Sequence, residues 1–277
     1  MVHATFPTSP TARGDRAPIG LFDSGLGGLT VVRALLDLVP YEPLLYFGDT
    51  ARFPYGPKPA DDVIKYAIEI GDHLVDQGAR LLVVACNSAS SVALDALRDR
   101  HSVPVVGVIE PGLQAAAVAT RRGRVGVIGT VGTIRSGAYQ SAAAELGIEL
   151  TCAACPGFVE FVEAGDVDSD QVHVLAERLL APLRAAGVDT LVLGCTHYPL
   201  LARTIGDVMG QDVVLVSSAD ETAFAVQRAL RSETVLGDSV GRVKPRFVTS
   251  GDAETFRRLG ARFCGPEVVD VTTFSWT

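Results

Sequence analysis

The feature that most constrains this chain is a repeated alternation: short apolar runs rich in β-branched residues, separated by longer stretches with helical periodicity. The runs are Ile19 to Phe22, Leu44 to Phe47, Leu81 to Ala85, Val105 to Val108, Val125 to Ile128, Leu191 to Leu193 and Val213 to Val216. Near-continuous apolar runs suit strands buried on both faces, and the intervening stretches are long enough to cross over as helices. An α/β protein with mostly parallel sheet is expected. In DDVIKYAIEIGDHLVDQG, a helical stripe takes in Val63, Ile64, Ala67, Ile68, Leu74 and Val75, and Gly78 is placed to end it.

With 277 residues, 48% hydrophobic and 20% charged, the chain can bury a core as one large or two modest domains. Its formal net charge of -8 argues against nucleic-acid or anionic-membrane binding driven by overall charge. No apolar run approaches the roughly 20 residues that span a bilayer, so no membrane association is expected. The opening MVHATFPTSPTARGDRAP lacks the apolar centre of a secretory signal and reads as a flexible tail, which points to the cytoplasm. Cysteines at 86, 152, 155, 195 and 264 are odd in number and few, so reduced thiols are expected rather than a disulfide scaffold.

The two halves carry a weak internal likeness. PIGLFDSG resembles RVGVIGTVG, and LLVVACNSAS resembles LVLGCTHYPL; Gly20 and Gly126 lie 106 positions apart, Cys86 and Cys195 109. Two related α/β halves produce such a near-constant offset, although short strand-turn-helix segments also look alike by chance.

Both of those cysteines follow a buried-type strand. Asn87 or Ser88 is suited to cap the helix after Cys86, while Thr196 and Pro199 suit the first turn after Cys195. Carboxyl ends of parallel strands are where open α/β sheets bind ligands. The positive end of a helix dipole favours thiolate, and a thiol moved modestly toward neutrality exchanges protons in either direction. A lone cysteine in such a place is more often packing. Two in matching settings favour a functional reading.

A third strand-to-helix junction, FDSGLGG, offers Asp23 and Ser24 followed by Gly25, Gly27 and Gly28, either as an anion-binding nest or as a plain tight turn. It lacks the G-x-G-x-x-G spacing of a dinucleotide site. Asp23 suits a substrate ammonium, a catalytic thiol or a backbone cap. His197 suits steering Cys195 or donating a proton, or is structural. Pro54, Tyr55 and Gly56 form a rigid aromatic turn that is also readable as an ordinary loop. The C-x-x-C spacing of Cys152 and Cys155 has no second pair to make a metal site. None of the three lysines, Lys58, Lys65 and Lys244, sits in a motif recommending a Schiff base, so chemistry without a cofactor is expected.

Taken in order, IGLFDSGLGGLTVVRAL, YFGDTARFPYG, ACNSAS, VGVIGTVGTIRSGAY and GCTHYPLL resemble the bacterial glutamate racemase family, from about Ile19 past Cys195. The resemblance implies two similar, pseudo-symmetric α/β domains with the active site in the cleft between them. It implies a tail over 1–17, a first domain over 18–109 plus 224–277, and a second over 110–223. Cys86 and Cys195 match the family's catalytic pair; Asp23, Ser24, Pro54, Tyr55, Gly56, Asn87, Ser88, Thr196 and His197 match its substrate-binding positions. Ser88 stands where threonine is commoner. Glu163 best matches an acidic residue near the site, although Glu160 replaces a usual proline nearby. Also implied are glutamate as substrate, no cofactor or metal, D-glutamate supplied for peptidoglycan, a homodimer, and DNA gyrase as a second partner of some members.

Racemisation removes the α-proton and returns one on the opposite face, which two thiols in opposite protonation states achieve. The resemblance implies that Cys86 takes the proton from D-glutamate and Cys195 from L-glutamate. A racemase for another small acid such as aspartate, and a non-catalytic amino-acid-binding module, are the competing readings.

Overall fold

The computed structural model describes residues 17–232 and 243–276. The expected tail therefore falls, apart from Ala17, outside the described residues. Among these, ten strands run β1 (Ile19–Asp23), β2 (Leu44–Gly48), β3 (Leu81–Val84), β4 (Val105–Gly107), β5 (Arg124–Gly129), β6 (Glu149–Ala154), β7 (Thr190–Gly194), β8 (Val214–Ser217), β9 (Arg246–Thr249) and β10 (Val271–Thr273). The helices between them are α1 (Leu29–Leu38), α2 (Ala60–Asp76), α3 (Asn87–Arg100), α4 (Ile109–Ala119), α5 (Val131–Arg135), α6 (Ala138–Glu145), α7 (Phe158–Ala164), α8 (Asp170–Ala185), α9 (Ala202–Met209), α10 (Ser218–Ser232) and α11 (Ala253–Cys264). A short 3-10 turn, Tyr198–Leu201, precedes α9. No helix among the described residues is long and apolar enough to cross a membrane.

The strands form two sheets, ordered β10-β9-β2-β1-β3-β4 and β6-β5-β7-β8, with parallel pairing throughout these ladders. The second sheet repeats the order β2-β1-β3-β4 of the first, which is the architectural form of the internal likeness in the sequence. In both, the direction of winding reverses beside the first strand, and crevices open at such points. Every residue of β1, β2, β3 and β7 is buried, as parallel strands covered by helices on both faces require. After the second sheet the chain returns: β9 pairs with β2, and β10 with β9. Helix α10 packs on both α1 and α4, joining the two units.

Local sequence explains most boundaries. Helix α2 has Asp61 and Asp62 in its first turn, favourable beside the positive helix end, and Gly78 adopts φ +87 just past its last turn. Its buried face is Val63, Ala67, Ile70, Gly71 and Leu74; Ile64, Ile68 and Val75 pack half-buried at the margin, which rotates the expected stripe. Strand β6, ELTCAA, is absent from the apolar runs of the sequence because its mixed, half-exposed pattern contains none.

Leu82 in β3 is fully buried among Leu45, Val63 and Leu74 of one core cluster. Leu82→Ala is expected to cost about 2–5 kcal/mol, read as a lower urea midpoint with unchanged slope.

Candidate active site

The carboxyl ends of β1, β3, β5 and β7 each deliver a polar segment into the space between the two sheets. From β1, Asp23 is buried; its Oδ1 accepts the Gly25 amide at 2.7 Å and its Oδ2 accepts the Thr196 hydroxyl at 3.3 Å. Burial raises the Asp23 pKa, opposed by the charge of His197 and by the Gly25 amide. Behind the loop, the Tyr46 hydroxyl donates to the Gly25 carbonyl at 2.9 Å.

Glycine at position 27 is obligatory by proximity: a Cβ there would lie 2.2 Å from Thr196 Oγ1 and 2.5 Å from His197 Nδ1. The glycine-rich turn thus serves as a close-approach surface that lets the segment from β7 lie against the segment from β1. Both Asp23 and Gly27 touch the Thr196-His197 pair, so these two parts of the sequence, far apart in the chain, make one site.

Cys86 itself occupies the N-cap of α3, with Asn87 and Ser88 already inside the first turn; neither caps the helix by its side chain. This corrects the sequence expectation. The Cys86 thiol points to the Ser24 hydroxyl at 3.8 Å. Its expected drift toward neutrality is also overturned: burial and the neighbouring Asp23 carboxylate push it up to about 12, against hydrogen bonds from the Ala89 and Ser24 amides. Desolvation of the charged form outweighs what one helix start supplies.

Asn87 is buried, and its Oδ1 accepts the Tyr139 hydroxyl at 2.7 Å while its Nδ2 is buried without a protein partner. Tyr139 also approaches the β7 strand end, since a Cβ on Gly194 would lie 3.0 Å from its hydroxyl. Ser88 meets Thr130 at 3.0 Å and Thr133 at 3.2 Å, forming a hydroxyl cluster at the end of β5.

Cys195 is buried at the end of β7, but the chain continues from it into the tight 3-10 turn rather than an α-helix start. Pro199 lies in that turn as expected; the Thr196 hydroxyl goes to Asp23 instead of capping. His197 Nδ1 lies 4.0 Å from the Cys195 sulfur, and His197 Nε2 lies 2.7 Å from Glu163 Oε1. Burial lowers the His197 pKa, yet its contacts with Cys195 and Glu163, helped by Asp23, raise it to about 10 overall. The result is a buried imidazolium held between a thiol and two carboxylates. Glu163 reaches this position from α7, and Glu160, in the first turn of that helix, is exposed.

The Pro54-Tyr55-Gly56 turn meets the second unit through backbone. Gly132 donates its amide to the Gly56 carbonyl at 2.9 Å, and a Cβ on Gly132 would lie 2.4 Å from that oxygen. Tyr55 does not present its hydroxyl to the cleft: it is buried and donates to Asp49. Tyr139 and Asp49 lie within the segments that carry the family resemblance but have no role assigned there; the structure makes them partners of the site. A cavity of about 250 Å³ opens beside Glu163, lined by Gly25, Phe53, Phe256 and Leu259 among others. Cys152 is half-buried and Cys155 buried, both as free thiols, and no metal-holding cluster of His, Cys, Asp or Glu occurs among the described residues.

Known proteins resemble this chain in both sequence and fold. The model of the Asp/Glu/Hydantoin racemase family matches residues 26–226. The glutamate racemase of a Parafrankia species is 55% identical over 258 residues, covering 92% of this chain and 94% of that protein. The crystal structure of a glutamate racemase isoform from Bacillus anthracis superposes with a TM-score of 0.89 at 38% identity, covering 95% of this chain and 98% of that one. That of the Francisella tularensis glutamate racemase in complex with D-glutamate gives 0.88 at 32% identity, with the same coverage.

The His197 environment sets a pH dependence. Its folded pKa of about 10 lies above the unfolded value of roughly 6.5, so its charge favours folding fully below pH 6.5 and loses that effect as pH rises toward 10. The melting-temperature gap between the protein and His197→Asn should narrow across that window. A gap constant from pH 6 to 10 would show a neutral imidazole.

Proposed function

This chain belongs to the Asp/Glu/Hydantoin racemase family, and from that premise we propose that it interconverts L- and D-glutamate by proton transfer between two thiols, Cys86 and Cys195. The observation that carries the proposal is that the two cysteines terminate equivalent strands, β3 and β7, of two sheets that share a four-strand order, and that their neighbours interlock through Asp23, Thr196 and Tyr139.

For one enantiomer, a thiolate takes the α-hydrogen as a proton, and the electron pair of the broken C–H bond remains on carbon, delocalised into the carboxylate. The opposite thiol then gives its proton to the other face, leaving the two sulfurs with exchanged protonation states. Cys86 serves as the base toward D-glutamate and Cys195 toward L-glutamate. Two different shells support these roles: a buried carboxyl, Asp23, beside Cys86, and the imidazolium of His197, fixed by Glu163, beside Cys195. The imidazolium lends positive charge where a proton must come and go.

Charge that gathers on the substrate carboxylate needs preorganised donors. Ser24 and the Asn87 Nδ2 group supply them, with Ser88 held alongside by Thr130 and Thr133 and the Thr196 hydroxyl engaged by Asp23. The Pro54-Tyr55-Gly56 turn closes the other side. No step in this scheme calls on a cofactor. The same reading makes the protein a cytoplasmic homodimer whose product enters peptidoglycan synthesis, with DNA gyrase as a second partner. It divides the chain into 18–109 plus 224–277 and 110–223, a division supported by which sheet each strand joins.

Cys86→Ala and Cys195→Ala are each expected to lose at least about a thousandfold in racemisation, more than about 4 kcal/mol of transition-state stabilisation, with the fold retained by circular dichroism. The assay follows optical inversion and deuterium uptake at the α-carbon, on both enantiomers of glutamate and of aspartate without added cofactor. Full turnover by either folded variant ends the two-thiol scheme, and preference for aspartate ends the substrate assignment.

A further inference from the structure

Immediately after β2 lies Asp49, a carboxylate with no solvent exposure. A carboxylate offers about four acceptor positions, and four side-chain donors reach this one. Oδ2 accepts Arg52 Nε at 2.6 Å and the Tyr55 hydroxyl. Oδ1 accepts the Ser250 hydroxyl at 2.7 Å and the Trp276 indole N–H at 3.0 Å. The donors come from three segments that are distant in the chain: the loop that holds Tyr55, the turn after β9, and the segment after β10. The Asp49 amide adds a bond to the Asp23 carbonyl at 3.0 Å.

Trp276 does more than cap this carboxylate. Its ring lies 3.5 Å from the Arg52 guanidinium carbon, and the Tyr66 ring lies 4.0 Å from it on the same cation. Arg52 thereby sits between two aromatic faces, with Glu69 as a further ion-pair partner. Phe47 and Phe274 pack against the indole at ring separations of 5.6 and 4.8 Å.

The turn that this network grips is the one that meets the second unit. Tyr55 is fixed by Asp49 on one side; the next residue, Gly56, accepts the Gly132 amide on the other. The position of that backbone therefore depends on a carboxylate whose other oxygen is held by Trp276 together with Ser250. We infer that Trp276, the chain's single tryptophan, is a positioning residue for the Pro54-Tyr55-Gly56 turn, acting through Asp49. The inference rests on the reading of that turn as part of the glutamate site.

Trp276→Phe keeps an aromatic ring against Arg52 and removes the N–H donor; Tyr55→Phe removes the opposite donor. In each, KM for both glutamate enantiomers is expected to rise about 5- to 10-fold, with kcat within about twofold. The double variant should add little to Tyr55→Phe alone, because both act on one carboxylate. Tyr55→Phe should also shift Trp276 emission in the unliganded enzyme, a signature that mere loss of stability does not produce at temperatures far below unfolding. A lowered melting temperature with unchanged KM in Trp276→Phe, or strict additivity in the double variant, overturns the inference. Ser250→Ala removes a separate Asp49 donor from a partly exposed position and gives the same KM test should the aromatic change unfold the chain. A wild-type protein inactive on glutamate would instead overturn the functional reading, so the two failures are told apart.

Discussion

The two units meet with no room for a methyl group at their contact points. A Cβ on Gly27 would fall inside the radius of Thr196, and one on Gly132 would collide with the Gly56 carbonyl. Everything chemical in the site depends on this closeness. Backbones from opposite units approach to hydrogen-bond distance, and Asp23, Cys86, Cys195 and His197 are all buried as a consequence. A wider separation would leave the same residues solvated and independent.

Burial on that scale changes which electrostatic effect decides proton affinity. At Cys86, the helix start and two backbone amides favour the thiolate, yet desolvation and the neighbouring Asp23 carboxylate dominate and hold the proton on sulfur. At His197 the order is reversed: desolvation opposes the charge, but a carboxylate at 2.7 Å and the adjacent thiol win. The two halves repeat a strand order without repeating an electrostatic environment.

The α/β class and the placement of both thiols at strand ends were legible in the sequence because buried parallel strands are written as apolar runs, and such runs stop where the polar site begins. The details beyond that depended on contacts between distant residues. Helix α3 starts one residue earlier than the cap preference of Asn87 and Ser88 suggests, since Cys86 takes the cap position itself. Strand β6 is half-exposed and reads as mixed sequence. Tyr139 and Asp49 lie within the resembling segments VGVIGTVGTIRSGAY and YFGDTARFPYG without a role of their own; only folding brings the first beside Asn87 and the second under Tyr55. Glu163 was found by resemblance, and its meaning comes from a contact with His197 that spans 34 residues of chain.

The return of the chain to its first sheet has a kinetic side. Strand β9 pairs with β2 across some two hundred intervening positions, while β5 to β8 form their own sheet from one continuous stretch. Closing so long a loop is slow relative to local pairing, and domains on a growing chain fold as their residues emerge. The second unit can therefore assemble during synthesis while the first still lacks an edge. Trp276 follows Asp49 by 227 positions, so its grip on that carboxylate forms only after the strands of the second unit have been made. Until then the turn that meets the second unit lacks its anchor, and the nascent chain carries both thiols without a completed cleft to hold them.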